Sequence, residues 1–406
     1  MVTPATRMQN IRYDIRGAVQ QEAERLEKAG HPIIRLNIGN LAPYELYAPQ
    51  EIVSDIAENL FHAQGYSHSK GLFQARKAVM QEAQRKGIEG VTHEHIFMGN
   101  GVSELISLVT QAIVNPDDEV LIPSPDYPLW SAAVTLAGGK PVYYQCDPAN
   151  QWAPNVKDIA SKVTAKTRAI LVINPNNPTG AVYSKALLTA IADIAETHQL
   201  LLFSDEIYDK VLFDETEHVS IAALNPRVLC FTFNGLSKAY RAAGFRSGWL
   251  IISGAIDQAG DIFNALETLS SMRLCANVPA QLAVQTALGG SQSIEALCAP
   301  EGRLYEQRNF AVEHLNAIPG VSVNSPQGAM YLFVHLDPEL YPIENDQDFA
   351  MQLLQQEKVL VVPGSGFNLA SNQYFRMVFL PKIDDLHEAI SRIARFLKER
   401  LAAPAT

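Results

Sequence analysis

No run in this 406-residue chain is long and apolar enough to cross a bilayer; stretches such as AILVI (169–173) and AMYLFV (329–334) are strand-sized. The opening MVTPATRMQN has no apolar segment of the signal-peptide kind, so secretion is not expected. Cysteine is scarce. Cys146, Cys230, Cys275 and Cys298 are the four present and none forms a C-x-x-C pair, which argues against a disulfide framework and for a reducing cytoplasm. Cys230, inside VLCFTF, reads as a buried inert thiol. Blocks of like charge are also missing. With 43 acidic and 32 basic residues the net charge is -11, so a nucleic-acid or anionic-membrane partner is not expected. There is no internal repeat and no low-complexity segment. His93 and His95 could share a strand face, yet no third ligand is near in sequence; a solvated loop and no metal site are expected.

What is present is alternation. Short apolar runs, EVLIP (119–123), AILVI (169–173), LLLF (200–203), VLCFTF (228–233) and WLIIS (249–253), read as strands buried on both faces. Helical patterns separate them, as at 184–197, where Leu187, Leu188, Ile191 and Ile194 recur at helical spacing. Such alternation predicts an α/β fold, a largely parallel sheet covered by helices. Beyond about residue 288 the pattern becomes α+β. A helical stretch (303–318) precedes two strands around a Pro/Gly turn in PGVSVNSPQGAMYLFVHL; KVLVVPGSGF and QYFRMVFL read as further strands, and 384–401 as a closing helix. The first forty residues hold one amphipathic helix (about 18–29) and a strand-like RLNIG, able to pack on either unit.

Ligands of doubly wound sheets bind beyond the carboxyl ends of the strands. The residues there form an unusual set: GNGVSE (99–104), PSPDYP, NPNNPTG (174–180), SDEIY (204–208) and NGLSKAYRAAGFR (234–246). Gly99 and Gly101 open a helical pattern; a glycine-led helix start can serve as an anion site, a plain strand–helix turn would read the same, and Glu104 stands where a dinucleotide fingerprint has its third glycine. Asp205 ends a buried strand and needs a cation or hydrogen bonds; a salt bridge or helix cap would serve, and so would a protonated pyridine nitrogen. Lys238 follows a buried strand among small and apolar residues, where desolvation and nearby cations would free its amine for attack on an aldehyde. Arg246, eight residues on, can share that site and clasp a phosphate with its planar fork. Two hydrolase-like matches are incomplete: GLSKA has Ala239 in place of the last glycine of a nucleophile elbow, and SHSK (67–70) lacks its companion motifs.

Taken in order, NPNNPTG, SDEIY and SK with Arg246 resemble the class I and II aminotransferases of pyridoxal-phosphate (PLP) fold type I, over nearly the whole chain. RYDIRG, LNIGN, NGVSEL, PDYPLW and MRLCANVPAQ look particularly like the bacterial alanine (glutamate–pyruvate) aminotransferases. The resemblance implies a large domain (45–288) with a mostly parallel seven-stranded sheet between helices, and a small α+β domain formed by 1–44 and 289–406. It implies that Lys238 carries the cofactor and then shuttles the proton, that Asp205 pairs with the pyridine nitrogen, and that Asn177 and Tyr208 bond the cofactor's phenolic oxygen. Tyr127 would stack on its ring. Gly101, Val102, Ser103, Ser237 and Arg246 would hold its phosphate, joined by Tyr66 of a neighbouring subunit in a homodimer with shared active sites. Arg376 would clamp the substrate carboxylate beside Gly39 and Asn177; without the resemblance, a structural salt bridge is the plainer reading of a mid-strand arginine. Tyr13 and Arg16 would close over the site and meet a second carboxylate, with Arg273 as a rival. One departure stands out: the family often has a serine three residues before the lysine, and here that residue is Gly235.

The implied reaction is ping-pong transamination of L-alanine with 2-oxoglutarate to pyruvate and L-glutamate, a step of alanine formation and amino-acid metabolism. Three alternatives remain open: an aminotransferase for aromatic or branched-chain amino acids, a PLP-dependent C–S lyase on the same fold, and a PLP-binding transcription regulator. The last would need a DNA-binding domain, and the chain has no spare segment of that size and no basic patch.

Overall fold

The computed structural model describes residues 3–11, 13 and 17–402. In chain order its strands are β1 (Ile34–Arg35), β2 (Ile96–Gly99), β3 (Glu119–Ser124), β4 (Lys140–Asp147), β5 (Ala153–Pro154), β6 (Thr167–Ile173), β7 (Leu201–Asp205), β8 (Cys230–Gly235), β9 (Gly248–Ser253), β10 (Val321–Ser322), β11 (Tyr331–Leu336), β12 (Val359–Leu360), β13 (Val362–Pro363) and β14 (Tyr374–Val378). Eight of them form one sheet in the order β2-β9-β8-β7-β6-β3-β4-β5. β8, β7, β6, β3 and β4 run parallel to one another, and β9 runs antiparallel between β2 and β8. The seven strands expected are therefore present, and the two-residue β5 adds an eighth at the edge beside β4.

The reason these segments are strands is visible in their burial. Ile96 and Met98, Leu121, Ile170 and Val172, and Leu202 face one apolar cluster; Phe97, Val120 and Ile122, Leu171 and Ile173, and Phe203 face a second one. Both faces are dry, so neither tolerates the alternating polar residues of a half-exposed strand. Helices Val102–Ile113 and Leu129–Leu136 cover one face, and Phe73–Arg85 and Lys185–Thr197 the other. The last of these starts where Ser184 accepts a hydrogen bond from the Leu187 N–H, an N-cap that satisfies one of the unpaired first-turn donors.

A second, four-stranded sheet has the order β10-β11-β14-β13, all antiparallel. The segment KVLVVPGSGF is not one strand: the chain leaves β12 after Leu360 and joins the four-stranded sheet at β13. β12 pairs in parallel with β1, so the N-terminal segment rides on the C-terminal unit, with helix Ala18–Lys28 packed on helix Asp346–Glu357. RLNIG is strand only at its start. Leu36 still bonds Leu360 and Val378 through its backbone, after which the chain leaves the strand and the Asn37 and Gly39 carbonyls go to Arg376 and Lys238. Among the described residues, no helix is long and apolar enough to cross a membrane.

Candidate functional site

The parallel strands end on one edge of the large sheet, and a cavity of about 990 Å³ opens there between that edge, the N-terminal segment and the C-terminal unit. Its wall includes Tyr13, Gly39, Val102, Ser103, Tyr127, Asn177, Asp205, Tyr208, Ser237, Lys238, Arg246 and Arg376, so most of the sequence-derived set converges.

Lys238 stands three residues beyond β8, and its Nζ donates to the Gly39 carbonyl at 2.7 Å, 5.7 Å from the Tyr208 ring centroid. Gly39 must lack a side chain: a Cβ there would collide with the Tyr331 hydroxyl and sit 3.4 Å from Lys238 Nζ. Asp205 closes β7 at 3% exposure. Burial pushes its carboxyl up to about 6, although the Trp130 indole N–H donates to Oδ2 at 2.9 Å and opposes the shift. The adjacent Glu206 belongs to a different network, with Lys86 at 3.0 Å and the Ser220 hydroxyl at 2.6 Å.

Arg376, on β14, is 2% exposed. Nη1 donates to Asn177 Oδ1 at 2.9 Å and Nη2 donates to the Asn37 carbonyl, while Nε finds no acceptor. Tyr331 and Phe367 lie against the guanidinium, 4.2 and 4.6 Å from ring centroid to Cζ. Among the described residues, no carboxylate pairs with it. No structural salt bridge to Arg376 is therefore present among the described residues, and a buried cation held by neutral acceptors on the wall of a cavity suits an anion.

Tyr208 and Tyr331 share a hydroxyl–hydroxyl hydrogen bond of 2.7 Å. Burial raises the Tyr208 phenol well above its usual range. Burial also acts on Tyr331, but Lys238, Arg376 and the bond from Tyr208 outweigh it and hold that phenol low. Tyr127 lies across the cavity, its hydroxyl 3.2 Å from that of Tyr13.

Gly101 caps helix Val102–Ile113 at φ 79°, a conformation glycine adopts without strain, and a Cβ there would strike the Arg246 guanidinium. The Arg246 fork is held by the Ala243 carbonyl (2.9 Å) and the Asn100 carbonyl (3.2 Å). The absence of a serine at Gly235 has a physical cause. Gly99, Gly248 and Gly235 stand in register across β2, β9 and β8. A Cβ on Gly235 would come within 2.7 Å of the Ser247 carbonyl, and one on Gly248 within 2.8 Å of the Gly101 carbonyl carbon and the Val102 nitrogen. This glycine row lets the helix start lie directly on the sheet, where a serine would have no room.

Some expected members lie elsewhere. Tyr66 is outside the cavity at 80% exposure. Arg273 is also outside it, 3.6 Å from Glu104 and donating to the Met98 carbonyl. Arg16 falls outside the described residues. Lys70 of SHSK is tied to Glu94, and His93 and His95 sit in a short 3-10 turn capped by Thr92 rather than on a strand. Four contributors were not singled out from sequence: Trp130, Tyr331, Asn37 and Phe367. A buried indole N–H demands an acceptor, so Trp130, three residues after Tyr127, carried a signal; Tyr331 and Phe367 look like ordinary core aromatics in an apolar context.

The set fits a phosphorylated pyridine aldehyde. It offers a helix start and a guanidinium for a phosphate, a buried acid lacking a cation for a ring nitrogen, phenols for a ring oxygen and an amine for the aldehyde.

Comparison with known proteins points the same way. Residues 32–393 match the family model "Aminotransferase class I and II". The chain is 54% identical to the glutamate-pyruvate aminotransferase AlaA of Escherichia coli K12, over 98% of each chain. Among solved structures, an aminotransferase from Escherichia coli superposes with a TM-score of 0.97 at 54% identity over 98% of both chains. An alanine aminotransferase from Pyrococcus furiosus superposes at 0.92 with 37% identity, covering 98% of this chain and 100% of that one.

Proposed function

The chain belongs to the class I and II aminotransferase family, and from that premise we propose that it exchanges an amino group between L-alanine and 2-oxoglutarate, giving pyruvate and L-glutamate, with pyridoxal phosphate as cofactor. The observation that carries this reading is the joint presence, on one cavity wall, of the Lys238 amine, the buried Asp205 and an Arg376 that has no carboxylate partner among the described residues. The names of the similar proteins, glutamate–pyruvate and alanine aminotransferases, support the choice of substrates.

When bound, pyridoxal phosphate supplies an aldehyde that takes up the substrate amine and a ring that accepts the electrons released at Cα. The residues do the rest. Arg376 takes the α-carboxylate in its fork, aimed by Asn177 and by the Asn37 carbonyl. This fixes the Cα–H toward Lys238, whose Nζ, released from the Gly39 carbonyl, takes the proton and later returns it. Asp205, oriented by Trp130, holds a proton on the ring nitrogen. Asn177 and Tyr208 would hold the ring oxygen, Tyr127 the ring face, and Gly101, Val102, Ser103, Ser237 and Arg246 the phosphate. Gly39 keeps the space beside Lys238 open. Tyr13 is the described half of a closing pair with Arg16, which meets the second carboxylate of glutamate; Arg35, the remaining cation on the wall, is already engaged by Glu27.

We further propose a cytoplasmic homodimer in which Tyr66 reaches the phosphate of the other subunit. In support, three large apolar side chains, Phe61 (78% exposed), Tyr66 and Met272 (76%), are left in contact with water in the single subunit. We divide the chain at 45–288, and at 1–44 with 289–406, as the pairing of β1 with β12 supports.

A donor–acceptor screen tests the substrates. Alanine with 2-oxoglutarate and glutamate with pyruvate should be the fastest pairs. Faster turnover of aromatic or branched-chain donors, or ammonia and pyruvate from cysteine conjugates without any oxo acid, would replace the reading with one of its alternatives.

A further inference from the structure

GNGVSE contains two residues, Asn100 and Glu104, that no phosphate contact uses, and they occupy the centre of a hydrogen-bond network behind Arg246. Glu104 accepts from the Asn100 backbone N–H at 2.7 Å and from Asn100 Nδ2 at 2.8 Å. Asn100 Oδ1 accepts from the Asn277 backbone N–H at 2.7 Å. That bond settles the orientation of the Asn100 amide, because a backbone donor must meet oxygen, which leaves the amino group facing the carboxylate. Asn277 Nδ2 in turn donates to the carbonyl of Phe245, the residue before Arg246, at 2.8 Å. The Asn100 carbonyl completes the circuit by accepting from Arg246 Nη2 at 3.2 Å.

The consequence for Arg246 is specific. Among the described residues, it has no carboxylate partner and takes a left-handed φ of 56°, so its direction depends on two carbonyls and on the backbone that carries it. Glu104 stands in the first turn of helix Val102–Ile113, where a carboxylate would compete with a phosphate for the unpaired N–H groups. It is instead drawn back to Asn100 and lies 3.6 Å from Arg273, away from the cavity lining.

We propose that Glu104, Asn100 and Asn277 are positioning residues of the phosphate site: they hold the Arg246 fork and the opening of helix Val102–Ile113 in anion-binding geometry. The inference rests on the reading of Gly101, Val102, Ser103 and Arg246 as that site.

The test is a titration of the full-length chain, freed of cofactor, with pyridoxal phosphate and separately with pyridoxal, in wild type, Glu104→Ala and Asn277→Ala. Each substitution should weaken pyridoxal phosphate about tenfold, the worth of one or two charge-assisted or neutral hydrogen bonds, and leave pyridoxal unchanged. Should Glu104→Ala fold poorly, Glu104→Gln keeps one acceptor for Asn100 and should lose less, in the same phosphate-selective way. Unaltered affinity for pyridoxal phosphate, or an equal loss for both ligands, overturns the proposal. A wild type that binds pyridoxal as tightly as pyridoxal phosphate overturns the phosphate-site reading itself, a separate result.

Discussion

Arg376 and Asp205 are the two residues whose environments say most. Each is buried where its charged form is least favoured, and among the described residues neither makes an ion-pair contact, Lys238 acting on Asp205 only at longer range. From sequence, a strand arginine and a strand-end aspartate look like any structural pair; what distinguishes them is that both line the same cavity. Asp205 also yields a signed prediction. Its folded pKa is about 6 against an ordinary 3.8, so the folded chain holds this proton more tightly than the unfolded one. The associated stability is full below about pH 4 and is lost as pH rises through 6, a loss on the order of 3 kcal/mol. In the cofactor-free protein, Asp205→Asn should therefore be more stable than wild type at pH 7.5, with the gap closing toward pH 4. Denaturant unfolding at the two pH values measures it, and a gap of equal size at both contradicts the assignment. Trp130, which bonds Asp205, carried a signal only in its indole N–H, whereas Tyr331, which bonds Tyr208, was not legible beforehand because its apolar neighbours disguise it as core.

At the scale of elements, the buried strands were readable because both of their faces are dry; β6 and β7 need apolar residues at nearly every position. The places that resisted reading are those where function interrupts a strand. RLNIG stops being strand where the carbonyls of Asn37 and Gly39 are claimed by Arg376 and Lys238. Gly235 looked like a missing phosphate ligand and is instead one of three glycines in register, packed against the backbone of Ser247 and Gly248 where β9 begins, while Gly248 lies against the helix start. Connections between units were invisible for a related reason, since they join residues far apart in the chain. Asn368 Nδ2 donates to the buried Asp126 at 2.8 Å and to Ser131 at 2.9 Å, and its carbonyl accepts from Ser124 at 2.9 Å. This ties the loop that carries Tyr127 to the turn that carries Phe367. Asn368→Ala leaves Asp126 short of a donor and should cost about 1–3 kcal/mol in chemical denaturation; a change within about 0.5 kcal/mol would mean that the tie is slack.

For the whole molecule, the question is whether one chain makes a complete site. Tyr66 is not part of this subunit's cavity lining and is 80% exposed, which is what a residue serving a neighbour would show. Mixing subunits decides it. A Lys238→Ala chain and a Tyr66→Ala chain are each impaired alone. If sites are shared, a hybrid of the two contains one site with both residues intact, so refolding them together should restore activity well above either parent. Activity equal to the average of the parents would place Tyr66 outside the site.

The central claim concerns Lys238, and the most direct measurement is its covalent labelling. The chain is loaded with pyridoxal phosphate, reduced with borohydride, digested and mapped by mass spectrometry. The account predicts a phosphopyridoxyl group on Lys238 and its disappearance, together with turnover, in Lys238→Ala. A label on another lysine, or full activity in that variant, would contradict it.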